Sequence, residues 1–375
     1  MTIYYLTIAT LAGLGYALTN TKKRDASKGL GNSRACAFYL SVSFVLLVFL
    51  SSCRYAIGFD YFSYRNIYEI TSPLTYADIL RIHPDEPLFF LTCKLLGMLG
   101  CPYQILLLII NVFLLSVAMS FIRRYSKIPW VSVYLYITLQ FLAYNMNLIR
   151  QSIATAFFLL AFPYLKNRKL LPFTLLILAG GLFHNSLLFL FPLYFLLPQK
   201  HTKKSLLALA ALTAIIYIFF EPLFGILKPF LPFRYANYQG GYFWHANGLQ
   251  YVAMPAIYCL LILLFQKRIK DPLLRSVSIN SAIYYFIISL FITKHFILER
   301  FAVYPFAFSL LAIPEIICSY ECEKRPGRKP ALTYHRVLLL FLLFGGMYFA
   351  FAALFGFHHV YPYTGLWDKS ISPPK

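Results

Sequence analysis

The sequence predicts an all-α polytopic membrane protein, and three observations carry that reading. Its 375 residues are 60% hydrophobic and 19% aromatic but only 13% charged, with a mean hydropathy of +0.66, where a soluble domain carries about 25% charged residues. The apolar residues fall in continuous runs of roughly the 20 residues that a bilayer core demands, not in the short alternating segments of a transmembrane β-barrel. Basic residues gather between the runs. The net charge of +21 would suit nucleic acid, but no basic stretch forms a folded module of its own, so nucleic acid is not an expected partner.

The basic clusters orient the chain. Lys22, Lys23, Arg24, Lys28 and Arg34 fall in 20–34, Arg123, Arg124 and Lys127 in 123–128, and Lys166, Arg168 and Lys169 in 166–169. Lys200, Lys203 and Lys204 fall in 199–204, Lys267, Arg268, Lys270 and Arg275 in 267–275, and Lys324, Arg325, Arg328, Lys329 and Arg336 in 321–336. By the positive-inside rule these six loops are cytoplasmic. The first run, Ile3 to Leu18, has Lys-Lys-Arg after it and no basic residue before it. That is the reverse of a signal peptide, so the run is expected to stay as a span with its N-terminus outside.

Spans are expected at 3–19, 35–53, 103–122, 129–146, 149–165, 205–221, 249–266, 276–293, 302–320 and 337–356. Two further segments do not read as simple crossings. Residues 86–100 are apolar but short and carry Lys94, and 169–198 lies between two basic loops while being too long for one span and too short for two. A re-entrant or broken hairpin, interrupted at Gly180-Gly181 with His184-Asn185-Ser186 near its tip, satisfies the charges. Counting these segments as spans gives about 10–13 transmembrane helices in one integral membrane domain over 1–375.

The outer loops, 54–86 and 222–248, are aromatic and polar, the second containing Arg234-Tyr235 and Tyr238 to His245. Such rings beside hydrogen-bonding groups suit sugars, and they suit the bilayer interface equally well. Of the seven cysteines only Cys318 and Cys322 are closely spaced, too few ligands for a metal. The chain has no Walker loop, dinucleotide fingerprint, zinc helix or nucleophile elbow. Neither metal nor cofactor is expected.

What remains is a set of ionisable groups at the edges of apolar runs. Arg54, Arg150, His184 and Arg300 fall on the outer side in this topology. A charge at membrane depth costs about 2.5–3.5 kcal/mol on insertion scales, so several on one side suggest a site for an anion. Around them the order Arg54-Tyr55-x-Ile57-Gly58-x-Asp60-Tyr61-x-x-Tyr64, Glu86-Pro87-Leu88-Phe89, Asn147-x-x-Arg150-Gln151-x-x-Ala154, Phe183-His184-x-Ser186 and Arg300-Phe301 resembles the EpsG family of bacterial exopolysaccharide proteins over most of the chain.

The resemblance implies a Wzy-like polymerase of the bacterial cytoplasmic membrane, serving exopolysaccharide, capsule or O-antigen synthesis. Such a glycosyltransferase joins undecaprenyl-pyrophosphate-linked repeat units on the extracytoplasmic face, with flippase and chain-length regulator proteins as partners. Arg54, Arg150 and Arg300 are then candidates to hold the departing pyrophosphate, a task for which the guanidinium fork suits Arg better than Lys. His184 is a candidate base for the acceptor hydroxyl, with Asp60 and Glu86 as rivals and Gln151 and Glu299 as neighbours of interest. Each residue also has a structural reading. The arginines can snorkel, Arg300 can pair with Glu299, His184 can close a hairpin, Asp60 can serve a turn, and Glu86 before Pro87 can cap a helix. A transporter or flippase of lipid-linked sugar and a membrane acyltransferase are the competing functions.

Overall fold

Apolar runs without interior polar breaks can satisfy their backbone groups in lipid only as helices, and helices are what form. The computed structural model describes residues 1–19, 34–227, 229, 248–321 and 333–368. These contain α1 (Thr2–Thr19), α2 (Arg34–Ser52), α3 (Tyr61–Thr71), α4 (Tyr76–Ile82), α5 (Pro87–Met98), α6 (Tyr103–Tyr125), α7 (Pro129–Thr138), α8 (Phe141–Asn147) and α9 (Ile149–Lys166). They continue with α10 (Leu170–Gly181), a 3₁₀ turn Asn185–Leu190, α11 (Leu193–Leu196), α12 (Lys203–Ile218), α13 (Phe220–Leu227), α14 (Gln250–Phe265), α15 (Pro272–Ile292), α16 (Glu299–Phe306), α17 (Ser309–Glu321) and α18 (Tyr334–Leu354). The fold is all-α, as the sequence predicts. Among the described residues five helices are long and apolar enough to cross a membrane, or seven if two bent pairs each count as one span.

The described chain divides into two compact units, 1–191 with 309–375 and 192–308. In the first, α1 packs on α2 and α7, α2 on α6, α6 on α9, and α9 on α10, while α17 packs on α7 and α18. Every residue of α7 except Tyr134 is buried, as is every residue of α8. Their polar groups are matched inside the bundle: Ser132 Oγ donates to Leu310 O at 2.7 Å, and Asn145 Nδ2 donates to the Tyr136 hydroxyl at 2.7 Å. In lipid, where no hydrophobic effect drives helices together, such packing and bonding hold the bundle. In the second unit α14 packs on α15 and α15 on α16. There Asn280 Nδ2 lies 2.8 to 3.0 Å from the carbonyls of Leu196, Leu197 and Gln199.

Several expected spans are broken. The run 129–146 splits at Gln140, whose φ of 71° ends α7 and starts α8. The run 205–221 bends by 79° between α12 and α13, and 302–320 is divided between α16 and α17. Residues 86–100 form the short helix α5, whose Lys94 Nζ donates to Ser72 O at 3.0 Å. The loop 54–86 contains α3 and α4. The expected hairpin in 169–198 is interrupted where the sequence places the break: α10 stops at Gly181, and the 3₁₀ turn packs back on α9 and α10. Gly180 makes this approach possible, because a Cβ there would stand 2.5 Å from Leu187 and 2.7 Å from Phe157. The outer-loop aromatics Arg234-Tyr235 and Tyr238 to His245, and most of the basic loops 20–34 and 321–336, lie outside the described residues.

After α18 the chain turns at Gly356 and crosses the start of 54–86. Residues 357–366 form a strap whose hydrogen bonds run from Gly58 N to His359 O at 3.1 Å, Phe59 N to His358 O at 3.2 Å, Tyr55 N to Thr364 O at 3.0 Å and Leu366 N to Cys53 O at 2.9 Å. Arg54 and Gly365 pair as an isolated antiparallel bridge. Side chains add Tyr361 Oη to Gln140 Oε1 at 3.0 Å, Tyr363 Oη to Leu50 O at 3.0 Å and Tyr4 Oη to Val360 O at 2.9 Å.

Gly58 sits at φ +93°, and a Cβ there would lie 2.7 Å from Met146 O. Gly58→Ala is therefore expected to lower stability by at least about 1 kcal/mol, read as a fall in Tm of the detergent-purified protein. An unchanged Tm would show that the turn relaxes freely. His358, enclosed by Tyr144, Asn147 and His359, has its pKa pulled down to about 4, first by burial and then by His359. Between that value and the ordinary 6.5 the released strap binds more protons than the seated one, so seating weakens as pH falls through this window. Hydrogen exchange in 357–366 should quicken from pH 6.5 to pH 4.5 relative to exchange in α6, and equal protection at both would refute the linkage.

Candidate functional site

The start of α5 sets the site. Pro87 occupies the first helical position, where its fixed φ suits the helix and its missing N–H costs nothing. This leaves Glu86 at the N-cap, yet its carboxylate makes no capping bond to α5. It reaches across to other elements instead. Arg150 Nη1, from the first turn of α9, donates to Oε2 at 2.5 Å. The backbone N–H of Asn185 donates to Oε1 at 3.1 Å, and His184 Nδ1 lies 2.9 Å from the same oxygen. Glu86 is 2% exposed and His184 5%, whereas the Arg150 side chain keeps 17% of its surface.

The surroundings fix this cluster. Leu88 N donates to Leu182 O at 3.2 Å, tying α5 to the break after α10. In the amide orientation that its acceptors dictate, Asn185 donates to Asp85 O at 2.8 Å and Gly181 O at 3.1 Å. The Arg150 guanidinium lies 5.8 to 5.9 Å from the ring centres of Tyr64, Phe89 and Phe90, within cation–π range. Gln151, next in α9, is buried. Arg150 and Glu86 cancel in charge, so the protonation state of His184 decides whether the cluster is neutral or carries one positive charge. Chemically this is a carboxylate-oriented imidazole beside a guanidinium.

The other sequence candidates lie elsewhere. Asp60 precedes α3 and uses its backbone N–H to bond Asn147 Oδ1 at 3.0 Å. Asn147 Nδ2 in turn meets His358 Nδ1 at 3.3 Å. Four of the five sequence motifs thus converge on the α8–α9 junction: Asn147 holds the 58–60 turn and Arg150 holds Glu86, which holds the 184–185 backbone. Arg54 is fully buried where its backbone pairs with the strap, its Nη1 donating to Ser51 O. Desolvation pulls its pKa down, opposed by Tyr103, Tyr61, Tyr4 and Tyr363. Glu299 and Arg300 open α16 in the second unit.

The second unit holds a pair that sequence reasoning passed over. His295 Nε2 meets Glu221 Oε1, His295 being 6% exposed and packed 5.2 Å from the Phe220 ring. Lys294 Nζ lies 4.6 Å over Tyr217, whose hydroxyl bonds Thr293 Oγ1 at 2.9 Å. The available signal was Glu221 itself, an acid ending an apolar run in a chain with only 13 acidic residues. Among the described residues no three His, Cys, Asp or Glu side chains gather as metal ligands would.

Residues 37–364 match the EpsG family. The chain belongs to that family. The match takes in both units and every motif named above. EpsG membership together with the apolar helices makes this a multi-pass membrane protein of polysaccharide biosynthesis. Among curated proteins none matches the chain, and no solved structure does either.

Removing one partner of a buried ion pair strands the other, at a cost of about 3–5 kcal/mol. Arg150→Met is thus expected to depress Tm strongly, and the double variant Glu86→Gln/Arg150→Met to recover part of the loss. Additive losses in that cycle would mean that the two side chains do not depend on each other.

Proposed function

We propose that this EpsG-family chain is a polysaccharide polymerase that joins undecaprenyl-pyrophosphate-linked oligosaccharide units at the extracytoplasmic face of a bacterial cytoplasmic membrane. Flippase and chain-length regulator proteins would be its working partners. The observation that carries the reading is the buried Glu86–Arg150–His184 cluster, built at the junction where the family motifs meet.

In the proposed reaction an acceptor hydroxyl attacks the anomeric carbon of the donor chain. The new C–O bond forms as the bond from that carbon to the pyrophosphate oxygen breaks, and the electron pair leaves with the lipid pyrophosphate. Glu86 faces His184 Nδ1, so Nε2 is the nitrogen assigned to take the hydroxyl proton. Once it does, the cluster gains one positive charge just as the leaving group gains negative charge. That timing is what electrostatic stabilisation of a transition state requires. Arg150, the most exposed member, is assigned to face the departing phosphate. Glu86 is assigned an orienting role in place of the base, because it is the least exposed of the three and already accepts from Arg150 and from the Asn185 N–H. Asp60 and Arg300 stay outside this step, and Arg54, fully buried, takes no part in the proton transfer.

The test is a reconstituted assay with a defined lipid-linked oligosaccharide. Wild-type protein should yield lengthened lipid-linked chains, and His184→Gln should lower turnover by about 10²–10⁴-fold with little effect on Tm. Arg150→Lys, which keeps charge but loses the fork, should lower kcat by at least about tenfold. Full turnover by His184→Gln would remove His184 as base. A cell lacking the protein should accumulate single repeat units already accessible from outside, and units confined to the cytoplasmic leaflet would favour a flippase.

A further inference from the structure

Among the described residues Arg54 heads the fully buried side chains by size, and its hydrogen bonding is incomplete. Nη1 reaches Ser51 O, while Nε and Nη2 are buried with no acceptor among the described residues. Four tyrosines lie near enough to act on its charge, yet none of their oxygens accepts from Nε or Nη2. Tyr4 donates to Val360 O at 2.9 Å, Tyr363 to Leu50 O at 3.0 Å, Tyr103 to Tyr61 O at 3.3 Å and Tyr61 to Gln104 Oε1 at 3.3 Å. A guanidinium shut away from water with unused donors is costly, and an anion is the partner that would complete it.

The strap forms one side of its surroundings, contributing Tyr363, while Tyr4, Tyr61 and Tyr103 come from α1, α3 and α6. Gly365 pairs directly with Arg54, and Thr364 and Leu366 bond the residues on either side. The strap has one 3₁₀ turn and one bridge but no helix or sheet ladder of its own; hydrogen bonds and aromatic edges hold it around the buried Val360, and a segment of that kind can open as a local unit.

The geometry points to Arg54 as an occluded phosphoryl-anion site, with segment 357–366 as its lid. The lid lifts from the 53–55 edge, and Nε and Nη2 then take two oxygens of a phosphate or pyrophosphate in a bidentate pair. The identity of that anion as the pyrophosphate of a lipid-linked sugar rests on the polymerase reading above; the site and its lid do not.

Register supplies the test, because the Arg54–Gly365 bridge sets native Cys53 opposite Leu366, a spacing within reach of a disulfide. In full-length Leu366→Cys protein, oxidation locks the strap and reductant frees it; Cys53→Ser/Leu366→Cys is the control that cannot lock. Inorganic pyrophosphate and undecaprenyl pyrophosphate are titrated separately by calorimetry. The reduced protein should bind at least one of them, the locked protein at least tenfold more weakly, and reductant should restore binding. Arg54→Met should lose binding in both redox states. Binding of both probes marks a phosphoryl site, and binding of the lipid alone marks a lipid-borne source. Equal binding by locked and reduced protein, or binding of neither probe by the reduced protein, overturns the inference. Polymerisation is read in parallel. Lock-sensitive binding without any chain lengthening leaves the lid standing and sinks the polymerase reading, whereas undiminished chain lengthening by the locked protein does the reverse.

Discussion

A single buried carboxylate organises the first unit. Glu86 is 2% exposed and is met by a guanidinium, an imidazole and a backbone N–H contributed by two other elements. In a low-dielectric interior an ion of this kind persists only when its lone pairs are filled, so its partners are held to a narrow geometry. That requirement fixes the start of α5 against the first turn of α9 and both against the break after α10. The net stability gained from such a cluster is small. Its effect is on position: the imidazole and the guanidinium cannot drift apart while the carboxylate stays buried between them.

The α8–α9 junction receives everything else. Asn147 and Arg150 stand on either side of the discontinuity at Leu148, one bonding the 58–60 turn and the strap, the other bonding Glu86. Broken helices in a membrane expose backbone groups that must be re-satisfied inside protein. Here the break follows the wholly buried helix α8, and side chains from distant motifs converge there. The second unit contains its own carboxylate–imidazole pair, Glu221 with His295, built on α13 and the turn after α15.

Much of this was legible from hydropathy and charge. Helical class, most helix positions and the interruption after Gly181 follow from apolar run length and from the basic loops. Less legible were the breaks inside runs. Nothing in the apolar stretch around Gln140 announces a left-handed residue, because the break is stabilised by partners such as Tyr361, 221 positions away. The same limit applies at the site. Sequence singled out Arg54, Arg150, His184 and Glu86 as ionisable groups at membrane edges, yet it read Glu86 as a base or a helix cap, and the pairing with Arg150 spans 64 positions. Glu221 and His295 were passed over because each alone is an ordinary polar residue ending an apolar segment. Arg54 was read as reaching outward, whereas its side chain is fully buried and its backbone pairs with a strap from the far end of the chain.

Asn147 gives the first unit a mechanical property. Its amide touches the strap through His358 and the 58–60 turn through Asp60, and it lies three residues before Arg150 across the helix break at Leu148. A displacement of the strap therefore pulls on a side chain three residues before Arg150. If occupancy at the Glu86–Arg150 end shifts Asn147, thermodynamic reciprocity demands that the strap's opening equilibrium change by the same factor. The protein would then report the state of one end of the site to the other through a lever one side chain long, with no rearrangement of the bundle behind it.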